Sequence, residues 1–120
     1  MHMSQPEDVP GIVLLVEDEP LIAMTAEMML EDLDVRDIRI THNVADALAV
    51  MDTTAIDFAI LDYNLGRETS VAVAERLVAD GIRFVFASGA EPVDLPESCA
   101  GAKSIMKPYS LRELGRILRG

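Results

Sequence analysis

Chemically active side chains stand at the ends of four apolar runs in the sequence. Glu17 and Asp18 follow the run GIVLLV, and Asp62 follows FAIL. Ser88 and Lys107 close two later runs, RFVFA and KSIM. A carboxylate can bind a metal ion or attack phosphorus, while a hydroxyl or an ammonium group can bind phosphoryl oxygens. If the fold brings these side chains together, the sequence predicts chemistry on a phosphoryl group.

The elements that position them alternate between buried strands and helices. The apolar runs predict strands at residues 11–16, 37–40, 56–61, 83–87 and 103–106. Each is followed by a predicted helix, and the fourth is expected to be short or irregular because Pro92 and Pro96 interrupt it. Strands that alternate with helices predict an α/β fold: a parallel, doubly wound sheet of five strands flanked by five helices.

Local signals set the helix ends and the buried faces. Pro20 suits a first helical turn, Asn43, Ser70 and Ser110 are predicted N-caps, and Gly81 is a predicted stop. Helical spacing predicts buried faces made of Ile22, Ala26, Met29 and Leu33; Val44, Ala47, Leu48 and Met51; Ala74, Leu77 and Val78; and Leu111, Leu114 and Leu118.

All carboxyl ends of a parallel sheet lie at one edge, so the acidic side chains should converge there. Clustered carboxylates repel one another, and a bound divalent cation would relieve the repulsion. Mg²⁺ suits a few carboxylates and several waters. We expect Asp18 to bind it directly, Glu17 through water, and the Asn64 backbone carbonyl to add an oxygen. Asp62 would then be the nucleophile that forms an aspartyl phosphate, with Lys107 and Ser88 binding phosphoryl oxygens.

Composition narrows the class of protein. The chain has 120 residues, the size of one domain, and a formal net charge of -11, which disfavours nucleic acids and anionic membranes as partners. Cys99 is the only cysteine, which fits a reducing compartment, most simply the cytoplasm. We expect residues 1–10 to be disordered or tag-like and residues 11–120 to form the domain.

Four segments in order, VLLVEDEP, AILDYNLG, FASGA and IMKPY, give the chain a resemblance to the receiver domains of bacterial two-component response regulators. The resemblance runs from about Gly11 to Arg119, and DYNLG with FASGA resembles single-domain, FATG-type members common in alphaproteobacteria. It implies a flavodoxin-like sheet of order 2-1-3-4-5. It also implies Mg²⁺-dependent phosphotransfer to Asp62 from a histidine kinase or a histidine phosphotransferase, and a Lys107–Pro108 bond that is commonly cis.

The resemblance further implies that the first helix contacts the kinase, and that the face of the fourth and fifth helices binds a downstream protein or a second copy. The family usually has an aromatic switch residue at one of two positions. In this chain those positions are Ser104 and Glu91, and neither is aromatic. Tyr109, directly after Pro108, is the nearby aromatic side chain that could report on the site.

Two other functions remain open at this point. A phosphorylation-independent pseudo-receiver would bind partners without using Asp62, and the missing aromatic favours it. A phosphatase of the haloacid dehalogenase type would need a second aspartate two positions after Asp62, where this chain has Asn64. We therefore expect a phosphoacceptor with slow self-dephosphorylation, and not a turnover enzyme.

Overall fold

A parallel sheet forms the centre of the computed structural model, which describes residues 9–89 and 95–120. Its strands are β1 (Ile12–Val16), β2 (Asp37–Thr41), β3 (Phe58–Asp62), β4 (Arg83–Ser88) and β5 (Lys103–Met106). They pair in the order β2-β1-β3-β4-β5, and every pair is parallel. The predicted fold class and strand order are both confirmed.

The helices differ from the prediction at one place. The described residues contain α1 (Pro20–Asp32), α2 (Val44–Thr53), α3 (Val71–Asp80) and α4 (Leu111–Arg119). The sequence predicted five helices. In place of the fourth, the described residues contain one 3₁₀ turn, Glu97–Cys99, directly after Pro96. Proline lacks an amide hydrogen and disfavours the helical conformation of the residue before it, so a longer helix through this position is disfavoured.

Residues 1–8, most of the predicted tag-like segment, and residues 90–94, with Glu91 and Pro92, lie outside the described residues. Within the described ranges, no helix has the length and apolar character needed to cross a membrane.

Capping agrees with the sequence at two helices and differs at a third. The Asn43 side chain accepts the Asp46 amide hydrogen at 2.7 Å, and Ser110 accepts that of Glu113 at 3.0 Å. Gly81 ends α3 in a left-handed conformation, with φ of 71°. Ser70 occupies the predicted N-cap position of α3, but its backbone has φ -86° and ψ 13°, outside the extended region of the other two caps, and its side chain makes no capping bond.

Each face of the sheet carries its own core. Helices α1 and α4 cover one face, where Leu30 and Leu118 pack over Leu15. Helices α2 and α3 cover the other, where Met51 and Leu77 pack over Leu14. This alternation of β1 side chains between two buried faces is the reason for its continuous apolar sequence.

Two residues predicted to be buried are exposed. Leu111 is 43% exposed because it occupies the first position of α4, and burial begins one turn later at Leu114. Val78 is 46% exposed because it lines an open cavity beside the 3₁₀ turn, while Val73 is buried instead.

Candidate functional site

Three carboxylates meet at the carboxyl edge of the sheet. Glu17 and Asp18 directly follow β1, and Asp62 is the last residue of the neighbouring β3. One ligand oxygen from each of the three lies within 4.8 Å of the others. Parallel pairing accounts for the convergence, because it aligns the carboxyl ends of neighbouring strands.

Burial makes this cluster electrostatically unfavourable by itself. Glu17 is 0% exposed and Asp62 is 3% exposed, whereas Asp18 is partly exposed to solvent. Loss of hydration, followed by the hydrogen bond with Asp62 and repulsion from it, raises the pKa of Glu17 to about 7. The Glu17 carboxyl is therefore protonated more readily than an ordinary carboxyl.

Lys107 partly neutralises the cluster. Its ammonium nitrogen donates to Asp62 Oδ2 at 3.1 Å and to Glu17 Oε1 at 3.3 Å. Burial lowers the pKa of Lys107, but the two carboxylates outweigh this effect and raise it, so the side chain is charged. One ammonium between two buried carboxylates, with Asp18 beside them, leaves an excess of negative charge.

A hard divalent cation fits this donor set. The three converging carboxylates offer oxygen ligands only, and their excess charge is of the sign that a cation compensates. The exposed position of Asp18 leaves room for water on that side, which suits Mg²⁺ because it retains part of its hydration shell.

The loop after Asp62 folds back over this region. Asn64 forms an isolated antiparallel bridge with Thr69, and the Ser70 amide donates to the Tyr63 carbonyl at 3.0 Å. Gly66 has φ of +83°, and a Cβ atom there would lie 3.7 Å from Asp18 Oδ2. The loop that carries the Asn64 carbonyl therefore lies next to an acidic side chain of the cluster.

Two contacts to this region were not expected from the sequence. Glu68 accepts the Val44 amide hydrogen at 3.0 Å, which ties the loop to the start of α2. The His42 ring nitrogen Nδ1 lies 2.8 Å from the Glu17 carbonyl oxygen. The strand order could have suggested the second contact, because His42 follows β2, the neighbour of β1.

Ser88 and Lys107 belong to the same edge. Ser88 ends β4, and its carbonyl accepts the Lys107 amide hydrogen at 2.8 Å. Its hydroxyl lies 3.4 Å from the Gly89 carbonyl oxygen. The Lys107–Pro108 bond is cis. Ser104 occupies one of the two positions where the family usually has an aromatic switch residue, and it is exposed on β5.

Tyr109 lies inside the core beneath the acidic cluster. It is 6% exposed and packs in the core under α1 and α4. Its hydroxyl makes no well-formed hydrogen bond among the described residues, although the Glu17 carboxyl lies near enough to interact with it. Burial, with added repulsion from Glu17 and Asp62, raises the pKa of this hydroxyl well above its usual value. The two acidic side chains are therefore close enough to influence it.

Comparisons with known proteins agree with this geometry. The family model for the response regulator receiver domain matches residues 13–119. The solution structure of SdrG from Sphingomonas melonis Fr1 is 41% identical, with a TM-score of 0.78 over 90% of this chain and 92% of that one.

Two further solved structures are similar. The BeF3-activated conformation of SdrG from Pseudomonas melonis Fr1 is 42% identical, with a TM-score of 0.74 over 88% of this chain and 90% of that one. A CheY-like receiver domain from Methylobacillus flagellatus is 28% identical, with a TM-score of 0.79 over 91% of this chain and 96% of that one. Among curated proteins, the comparison finds no match.

Proposed function

The chain belongs to the response regulator receiver domain family, and we propose that Asp62 is its phosphoacceptor. The observation that carries the proposal is the position of Asp62: it ends a central strand, is 3% exposed, and lies 3.1 Å from the Lys107 ammonium. We assign residues 11–120 to this domain. The donor is a phosphohistidine of a histidine kinase or of a histidine phosphotransferase.

In the proposed transfer, a carboxylate oxygen of Asp62 attacks the phosphorus of phosphohistidine. A phosphorus–oxygen bond forms while the phosphorus–nitrogen bond breaks, and the imidazole leaves with the electron pair. Lys107 and Ser88 bind two phosphoryl oxygens at the edge of the sheet. Lys107 already contacts Asp62 and Glu17, and the third hydrogen of its ammonium group is available for a phosphoryl oxygen on Asp62.

Mg²⁺ fits the acidic cluster, and its residues would hold it with different roles. Asp18, Asp62 and the Asn64 backbone carbonyl are the proposed direct ligands, and Glu17 would act through water. When bound, the ion supplies positive charge beside the phosphoryl oxygens. Hydrolysis of the acyl phosphate follows slowly at the same site, so the protein does not turn over substrates as an enzyme does.

Exposed apolar side chains support two partner surfaces. Leu21, Met24 and Met28 on α1 are 76%, 54% and 60% exposed, which suits the proposed contact with a kinase or phosphotransferase. Met106 on β5 and Leu111 on α4 are 60% and 43% exposed. They lie on the proposed face for a downstream protein or a second copy of the chain.

Tyr109 and Pro108 are the proposed conformational elements next to the phosphoryl site. Tyr109 is buried two residues after Lys107 with its hydroxyl near Glu17 and Asp62, so a rearrangement of these charged side chains would change the surroundings of this hydroxyl. Ser104 and Glu91 hold no aromatic ring, and we assign the usual aromatic role to neither of them.

The test is mass spectrometry of the chain with acetyl phosphate, with and without Mg²⁺. We expect an adduct of one phosphoryl group that requires Mg²⁺, is lost in Asp62→Asn and is retained in Asp32→Asn, an exposed aspartate at the end of α1. Beryllofluoride binding should follow the same pattern. A chain that forms no adduct from acetyl phosphate or from a histidine phosphodonor is a pseudo-receiver, and continuous hydrolysis of a phosphate ester would instead indicate a phosphatase.

A further inference from the structure

A second concave site lies at the opposite edge of the sheet from Asp62. A cavity of about 620 Å³ opens where β3, β4 and β5 begin, and the first residues of these strands, Phe58, Arg83 and Lys103, line it. Arg116 of α4 and Cys99 of the 3₁₀ turn complete its walls. Its volume is within the range of roughly 300–1,000 Å³ that is typical of small-molecule sites.

The charge of this cavity is opposite to that of the chain. The sequence has 21 acidic and 10 basic residues, yet the described side chains that line the cavity include those of Arg83, Lys103 and Arg116 and no acidic one. Gly120 also lines it beside Arg83, and its α-carboxylate in the 120-residue chain offsets one of the three positive charges. If the charged residues were distributed at random, acidic side chains would on average outnumber basic ones in the cavity wall. The cavity is therefore a local region of positive potential on an acidic protein.

Two of these cations are free to bind an anion, and the third is held in place. Lys103 is exposed and forms no salt bridge among the described residues. Arg116 has only a 3.8 Å contact with Glu113, and its side chain is 74% exposed, so that pair is weak. Arg83 donates to the Leu118 carbonyl at 3.1 Å, and its guanidinium carbon lies 4.9 Å from the Phe58 ring centroid.

The remaining walls are apolar. Phe58 and Phe84 present aromatic rings, and Val78, Ile82 and Ile117 add aliphatic surface. Val78 remains 46% exposed here, although the helical pattern of α3 predicts burial. An occupant that covered this valine would gain apolar contact, while its charged group could reach Lys103 and Arg116.

We propose that this cavity binds a small organic anion with an apolar body, such as an alkyl or aryl carboxylate or phosphate. The apolar body packs against Phe58, Phe84 and Val78, and the anionic group pairs with Lys103 and Arg116. The site shares no lining residue with the acidic cluster, so its binding chemistry is separate from that of Asp62.

The experiment is a titration of the full chain with octanoate and with octyl phosphate below their micelle concentrations, followed by ¹H–¹⁵N chemical shifts. We expect saturable changes at residues 83–85, 98–103 and 116–117, and none at Asp62. Octanol and octylammonium should bind at least about tenfold more weakly, because they cannot form the charge-assisted hydrogen bonds. Whichever anion binds tighter identifies the head group, carboxylate or phosphate.

Lys103→Gln tests the charge, and Arg112→Gln is its matched control. Arg112 is exposed on α4 and does not line the cavity, so both variants remove one positive charge from the same region of the protein. We expect Lys103→Gln to weaken octanoate about tenfold and Arg112→Gln to leave it unchanged. Equal binding of octanol, equal effects of the two variants, or no saturable binding would each overturn the proposal.

Discussion

The Lys107 ammonium lies 3.1 Å from the Asp62 carboxylate, although 45 positions separate the two residues in the chain. The same nitrogen lies 3.3 Å from the Glu17 carboxylate. One cation therefore connects the carboxyl ends of β1, β3 and β5. Because its partners are buried, its loss or displacement should affect the stability of the domain as well as its chemistry.

Replacing Lys107 by Gln should destabilise the metal-free protein by about 1–3 kcal/mol, because it leaves two buried carboxylates without their cation. Mg²⁺ should recover part of this loss and stabilise the variant more than it stabilises the wild type. Urea unfolding with and without Mg²⁺ measures both effects. Lys103→Gln, which removes the exposed lysine, is the control and should change stability by less than about 0.5 kcal/mol. Equal destabilisation by the two substitutions would contradict the prediction.

Replacing Glu17 by Gln should change how stability depends on pH. The pKa of Glu17 is about 7 in the folded protein against an ordinary value of 4.5, so the folded state binds more protons between these values. Its contribution to stability is thus complete below pH 4.5 and is lost as pH rises toward 7.

Glu17→Gln lacks this titration, and without Mg²⁺ it should be more stable than the wild type at pH 8, by up to about 3 kcal/mol. The difference between the two proteins should shrink as pH falls to 4.5. Unfolding in urea at several pH values is the measurement, with the exposed Glu31→Gln as control. A stability difference that does not vary with pH would rule out the proposed shift.

Replacing Tyr109 by Phe separates the hydroxyl from the ring. Because the buried hydroxyl makes no well-formed hydrogen bond among the described residues and only lies near Glu17, its removal should change the stability of the unphosphorylated protein by less than about 1 kcal/mol. The beryllofluoride adduct on Asp62 should still form. We expect the accompanying chemical-shift changes at residues 95–106 to become smaller, if Tyr109 transmits the change. Identical shifts in variant and wild type would remove Tyr109 from the switch.

Replacing both Met24 and Met28 by Gln should impair the proposed kinase contact alone. Loss of two exposed apolar side chains should slow phosphotransfer from a histidine kinase that phosphorylates the wild type, by roughly tenfold. Phosphorylation by acetyl phosphate should be unchanged, since the acidic cluster is intact. Measuring the phosphorylation rate with the kinase and with acetyl phosphate distinguishes a docking defect from a chemical one. Met106→Gln, on another surface, is the control. Equal slowing with both donors would contradict the docking role.

Much of the fold was predictable because the sequence signals are local. Asn43 and Ser110 cap their helices through the next three residues, and Gly81 ends α3 by its own backbone conformation. The position of Asp62 beside Glu17 follows from parallel pairing once the strands are recognised. Ser70 was predicted at the correct N-cap position, but its side chain does not cap α3, and its backbone angles lie outside the extended region of the other two caps.

The sequence by itself determined how strands and helices alternate along the chain. It also determined that Asp62, Glu17 and Lys107 lie at the carboxyl edge of the parallel sheet. Only the tertiary structure decided the raised pKa of Glu17, the burial of the Tyr109 hydroxyl and the basic cavity around Lys103. The physical reason is that strand and helix signals depend on neighbours along the chain. Burial, repulsion and cavity shape instead depend on which side chains from distant segments pack together, and no local pattern carries that information.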